Sequence, residues 1–283
     1  MAVHPFRIVN VFTREGAQLS GNSLCVFEDG ANLDARTMQA LALQFNLSET
    51  TFVLRSTTAD ARVRIFTPNY ELGFAGHPTL GTAHVYRALT LGKDSVQLEL
   101  QAGIVPVTAV GDRWTLTAPP ATVRELDVSR ALLAGAIGLD AEDIGERPLW
   151  VKAGTEQLIV PLKSPDAVRR ASPRMEAFSG IQSDAGHSMA YIFAPSSVDQ
   201  FEARFFFSQG NAMLEDPATG SATANFGGWC LAMQRELPIR YQIAQGDMVG
   251  RPSTLHLDIG TARQIRVGGN VAEVARGVVT LHS

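Results

Sequence analysis

Along the first part of the chain, apolar and polar positions alternate in short runs, the period-two signature of strands, at residues 7–12, 23–27, 51–55 and 62–67. Between them the period lengthens to that of a helix. Met38, Leu41, Ala42 and Phe45 recur on one helical face, Asp34 stands where an N-cap belongs, and Asn46 suits the end. A second helix is predicted to begin at Pro78, a favoured first-turn residue, and to run through Thr82 and Val85 toward Leu89. Strands at 96–100, 104–108 and 114–117 follow, split by Gly103 and by Gly111-Asp112.

Ala118-Pro119-Pro120-Ala121 then interrupts any periodic pattern and reads as a linker. Beyond it the same grammar returns. Strands are expected at 157–160, 188–193 and 204–207, with a helix capped by Ser164 that carries Pro165 in its first turn. A helix of small residues follows from Ser221 toward Gln234, and the chain closes in strands ending at 278–281. Arg64-Ile65-Phe66 and Arg204-Phe205-Phe206 each open a strand that leads to a glycine and a helix. The offset is 140 residues at the arginines and 144 at Gly76 and Gly220, so the second copy carries a four-residue insertion. Such an echo is the mark of a duplicated domain. The expectation is therefore an α+β chain of two similar domains, residues 1–118 and 119–269, with the ligand site where the two glycine turns face each other.

With 283 residues, 45% of them hydrophobic and 18% charged, the chain can bury a full core. A net charge of −4 without a Lys/Arg cluster speaks against nucleic acid as a partner. The opening residues have no basic flank followed by an apolar run, and no stretch approaches about 18 apolar residues, so neither a leader nor a membrane span is expected and the protein is placed in the cytoplasm. Only two cysteines are present, Cys25 and Cys230, both in apolar runs, which rules out a four-cysteine zinc site and a disulfide framework.

Candidate chemistry gathers at the two turns. Gly76 and Gly220 each precede a helix, whose free N–H groups and dipole suit a carboxylate. His77 follows the first glycine and Ser221 the second. No His/Cys/carboxylate set has the spacing of a metal site, and Thr82 stands where a phosphate loop would need lysine. Asp216, ahead of the second turn, reads as a capping or turn acid. Glu49, by position alone, reads as a solvated turn acid between a helix end and a strand start.

Several stretches in order resemble the PhzF-like family of phenazine-biosynthesis isomerases, within the diaminopimelate-epimerase-like superfamily. They are Val9-Asn10-Val11-Phe12, Gly21-Asn22, Ser48-Glu49-Thr50-Thr51-Phe52, Arg64-Ile65-Phe66-Thr67-Pro68, Phe74-Ala75-Gly76-His77-Pro78, Glu215-Asp216-Pro217-Ala218-Thr219-Gly220-Ser221, Gln245-Gly246 with Gly250-Arg251-Pro252-Ser253, and Val267-Gly268-Gly269. The resemblance implies two pseudo-symmetric domains, each a sheet wrapped around a central helix, with the C-terminal strand, about residues 270–283, returning to the first domain and the active site in the cleft. It implies Glu49 as the proton carrier of a cofactor-independent isomerase, without metal. His77 and Asp216 would hold the polar groups of a small carboxylated substrate, and Ser48, Gly76, Gly220 and Ser221 would line its site. A homodimer is expected by the same analogy. Racemases of this superfamily use a thiol at each echoed turn, where this chain has glycine. An epimerase working through Glu49 and Asp216, or a metabolite-binding protein without turnover, are the alternatives.

Overall fold

The computed structural model describes residues 1–90 and 92–281. The chain divides into two compact units, Met1–Thr117 with Gly268–Ser283, and Ala118–Val267.

In the first unit β1 (Ala2–Thr13) and β2 (Asn22–Phe27) pair antiparallel; α1 (Ala35–Phe45) then crosses over to β3 (Glu49–Leu54), which lies parallel to β2. Helix α1 is bounded as its residues demand: Asp34 accepts a hydrogen bond from the Thr37 N–H, and Asn46 takes the left-handed conformation at the other end. Strand β4 (Ala61–Phe66) runs antiparallel to β3 and pairs with the two-residue β5 (Glu71–Leu72). Helix α2 (Gly76–Leu89) follows, then β6 (Ser95–Leu100), parallel to β4, and the antiparallel β7 (Gly103–Val110) and β8 (Arg113–Thr117).

The second unit has β9 (Thr122–Glu125), α3 (Arg130–Ala136), β10 (Leu149–Lys152) and β11 (Glu156–Pro161), with β10 antiparallel to both of its strand neighbours. Helices α4 (Pro165–Arg170) and α5 (Met175–Phe178) cross over to β12 (Met189–Pro195), parallel to β11. An antiparallel pair, β13 (Gln200–Gln209) and β14 (Ala212–Asp216), leads into α6 (Gly220–Ala232). Strand β15 (Ile239–Gln245) is parallel to β13 and antiparallel to β16 (Ser253–Ile259). The last strand, β17 (Ile265–Leu281), begins in this unit and continues in the first, where Leu281 pairs with Ala2 and Asn270 with Thr13. The expected strand to residue 283 is thus described to Leu281; His282 and Ser283 lie outside the described residues.

Helices α2 and α6 are the interior elements of their units. From His77 to Ala83 every residue of α2 is buried, and α6 is buried from Ala222 to Cys230. A helix buried all round needs no apolar stripe, which is why the small-residue pattern of α6 reads poorly as an amphipathic helix. Glycine makes the close approach feasible. A Cβ on Gly81 would lie 2.6 Å from Leu24 and 2.9 Å from Val11, and one on Gly228 2.6 Å from Ala121 and 2.7 Å from Val151.

The structure corrects two boundaries and adds elements. Helix α2 begins at Gly76 rather than Pro78, because the first-turn N–H groups have no intrahelical acceptor and proline costs nothing at the third helical position. Helix α6 stops at Ala232. The short elements β9, α3, β10 and α5 were not marked by the sequence pattern, each spanning only four to seven residues. The Arg64 and Arg204 echo has a local cause. Each arginine is bidentate to a glutamate on the returning strand, Glu71 at 2.7 and 2.6 Å and Glu215 at 3.1 and 2.7 Å, and stacks over the phenylalanine two residues on, Phe66 or Phe206. The four-residue insertion lengthens the second hairpin, since Phe66 faces Glu71 in one while Phe206 faces Glu215 in the other.

Replacing Gly228 by Ala should destabilise the protein by about 1–3 kcal/mol, the usual cost of overpacking a filled interior, because both neighbours are short side chains with no far end to swing away. Equilibrium urea denaturation measures it, and an unchanged midpoint would show that the helix has room to move.

Candidate functional site

The first group is built by the β2–α1–β3 crossover, which sets Glu49 at the head of β3 opposite Leu24. Ser48 beside it donates its hydroxyl to Asn22 Oδ1 at 2.9 Å. Helix α2 brings His77 in from the other side, with Nε2 3.1 Å from Glu49 Oε2; the two side chains are 7% and 16% exposed. Glu49 is therefore not the solvated turn acid its sequence position suggests, since the strand begins at Glu49 itself and turns the carboxyl toward the helix. Burial pushes the His77 pKa down to about 3, against the smaller opposing effect of its hydrogen bond to the Ser23 backbone. The imidazole is neutral at working pH.

The second group belongs to the loop before α6. Asp216, the last residue of β14, accepts the Thr219 hydroxyl at 2.5 Å. Gln245, 1% exposed, ties down this loop: its Nε2 donates to the Asp216 carbonyl at 2.8 Å and to Thr219 Oγ1 at 3.0 Å, and its Oε1 accepts the Thr219 N–H at 3.2 Å. Because Thr219 Oγ1 receives a proton from Gln245, its own proton goes to Asp216. Gly246, at φ 82°, keeps the turn after Gln245 against Pro217, whose carbonyl would stand 2.4 Å from a Cβ there. Ser221, in the first turn of α6, accepts a hydrogen bond from Gln157 Nε2 at 3.1 Å.

Both helix starts are open. Neither Ala75, before Gly76, nor Thr219, before Gly220, gives a side-chain cap, and neither first turn carries an acid. Their leading N–H groups and positive dipole ends are suited to an oxygen anion. Thus the first unit brings together Ser48, Glu49, Gly76 and His77, and the second brings together Asp216, Gly220 and Ser221.

The sequence reading missed Gln157 and Asn225 and assigned Gln245 no role. Each is an uncharged amide with an apolar residue next to it, and all are at most 2% exposed. A buried amide among Leu, Ile, Phe and Gly must find partners, which was the available signal. His84, seven residues after His77, accepts the Trp114 indole N–H at 3.2 Å. Among the described residues, no three His, Cys, Asp or Glu side chains are grouped to hold a metal ion. Cys25 and Cys230 are buried in β2 and α6. Burial raises both thiols, Cys230 to about 12.

Comparison with known proteins shows the family. The family profile described as "Phenazine biosynthesis-like protein" matches residues 9–277. An uncharacterized isomerase of Pasteurella multocida is 34% identical over 277 residues, covering 97% of this chain and 93% of that protein. The trans-2,3-dihydro-3-hydroxyanthranilate isomerase of Pseudomonas aeruginosa is 34% identical over 287 residues, covering 97% and 99%. Among solved structures, the phenazine biosynthesis protein of the PhzF family from Bacillus anthracis superposes with a TM-score of 0.88 at 24% identity, over 99% of this chain and all of that one, a likeness of fold. Among the described residues, no helix is long and apolar enough to cross a membrane.

Two outcomes follow from the burial of these groups. Above pH 6.5, the ordinary imidazole value, His77 is neutral whether the chain is folded or not; as pH falls from there toward 3, only the unfolded chain takes up the proton. Stability should fall over that window at a rate approaching about 1.4 kcal/mol per pH unit, and His77→Asn should remove that part of the slope in urea melts. A chromogenic disulfide reagent should find no reactive thiol in the folded protein at neutral pH and two after denaturation. Rapid labelling of the native protein would revive a thiol mechanism.

Proposed function

The chain belongs to the phenazine biosynthesis-like protein family, and from that premise we propose that it is an isomerase that shifts a proton within a small carboxylated metabolite, using Glu49 as acid and base and no metal or organic cofactor. The contact between Glu49 and His77 carries this reading. A neutral imidazole has one N–H to give. Its hydrogen bond to the Ser23 backbone favours the protonated ring, so that bond uses the N–H and leaves the Nε2 lone pair facing Glu49. Glu49 Oε2 and His77 Nε2 are 3.1 Å apart, close enough for a proton to pass between them. A proton taken up by Glu49 can then be shared with His77, which suits a single acid/base group that removes and returns one.

The rest of the site supports a carboxylated substrate. The open starts of α2 and α6, at Gly76 and at Gly220-Ser221, suit its carboxylate, while Ser48 and Asp216 suit its other polar groups. The similar succession of pairings in the two units supports a duplicated architecture: an antiparallel pair, a parallel crossover, an antiparallel hairpin, then the central helix. The substrate named for the Pseudomonas aeruginosa relative, trans-2,3-dihydro-3-hydroxyanthranilate, is the first compound to test.

Glu49→Gln keeps the shape of the side chain but cannot accept and return a proton, so turnover should fall about a hundred- to ten-thousandfold while the thermal midpoint and ligand binding change little. Steady-state kinetics with that compound check this, and full activity in the variant would end the proposal. Turnover in deuterium oxide separates it from a two-base epimerase. One carboxylate can return part of the hydrogen it removed to a single face of the product, whereas two bases invert one carbon with complete solvent deuterium.

A further inference from the structure

We propose that Asn225 and Gln157 are positioning residues that hold the Ser221 hydroxyl as a hydrogen-bond donor, committing the start of α6 to an oxygen acceptor such as a carboxylate and against an ammonium group. The inference rests on the reading that Ser221 faces the substrate. Its physical basis is a chain of amides whose ends are decided one after another. Asn225, on α6, is fully buried. Its Oδ1 lies 2.6 Å from the Ala153 N–H, and its Nδ2 2.9 Å from the Thr155 carbonyl. Exchanging the two ends would set N–H against N–H and oxygen against oxygen, so the backbone fixes the amide.

The second N–H of the same Nδ2 meets Gln157 Oε1 at 2.7 Å. That contact fixes Gln157 in turn, oxygen toward Asn225 and nitrogen toward Ser221 Oγ, 3.1 Å away. An N–H directed at Oγ occupies one lone pair and excludes the hydroxyl's own proton from that line. Gln157 is the one hydrogen-bond partner of Ser221 Oγ among the described residues. The proton is left for a group outside the chain, beside the uncapped N–H groups of the first turn of α6. Asn225 alone suffices to pin the helix to the β10–β11 turn through Ala153 and Thr155. Gln157, 2% exposed, accepts one further bond from Asn225 and carries the chain on to Ser221.

The polarity can be reversed without changing shape. In Gln157→Glu one carboxylate oxygen still accepts from Asn225, but the other can only accept, so the Ser221 hydroxyl must turn its proton inward. Neutron diffraction from a deuterated crystal should show the Ser221 deuterium directed away from Gln157 in the parent protein and toward residue 157 in the variant. Calorimetry with anthranilate, a ring carboxylate related to the relatives' named substrate, should show affinity reduced about ten- to a hundredfold in both Gln157→Glu and Ser221→Ala. The double variant should lose no more than either alone. Additive losses would mean that the new charge repels the ligand independently of the hydroxyl, and would overturn the inference. So would a parent deuterium aimed at Gln157. Unchanged anthranilate affinity in Ser221→Ala, with the parent deuterium oriented as expected, would instead overturn the reading that Ser221 faces the substrate. Thermal melts of each variant distinguish these effects from loss of fold.

Discussion

A helix surrounded by strands can be no wider than the space they leave, and in this protein α2 and α6 meet that limit with glycine. Gly81 admits Leu24 and Val11 to the surface of α2; Gly227 admits Ile265 and Leu257, and Gly228 admits Ala121 and Val151, to that of α6. Because these helices are interior, His77 in the first turn of α2 and Asn225 in α6 are removed from bulk water. Packing on this scale is intolerant of added volume, so the small-residue character of α6 is a condition of the architecture.

The burial sets the chemistry of the polar residues. A histidine taken out of water loses its charge, and His77 stands as a neutral imidazole beside Glu49. An asparagine or glutamine taken out of water must have its ends satisfied, so Asn225, Gln157 and Gln245 form networks with definite donor and acceptor ends. The same environment disables the thiols, which stay protonated in β2 and α6. Burial thus separates the polar networks, which have definite partners, from the thiols, which only fill space in β2 and α6.

The hairpins that lead into these helices are held by charge rather than by volume. Arg204 is bidentate to Glu215 and also donates to the Val168 and Ala171 carbonyls at the end of α4, so one guanidinium joins a hairpin to a crossover helix. Arg64 and Glu71 form the corresponding pair ahead of α2, more exposed and with fewer backbone contacts. In each case the glutamate ends a short distance before the loop that sets up the helix start, where a shift in strand register would displace Gly76 or Asp216.

Much of the architecture was determined locally and so was legible in the residues alone. Asp34 and Asn46 bound α1, Ser164-Pro165 opens α4, and alternation marks β2 to β4, because caps and periodicity act over a few residues. The repeated Arg-x-Phe also stood out, though its cause, an arginine spanning a hairpin and stacking on its own strand, needed the pairing register. What tertiary structure alone decided was exposure and partnership. Glu49 reads as a solvated turn acid until α2 packs beside the head of β3 and brings His77 to 3.1 Å. Gln157 and Asn225 are separated by 68 residues, and nothing in either neighbourhood states that they meet. A sequence records each residue's capacity to donate, accept or titrate; which capacity is used depends on the partners and the dielectric that only the folded chain supplies.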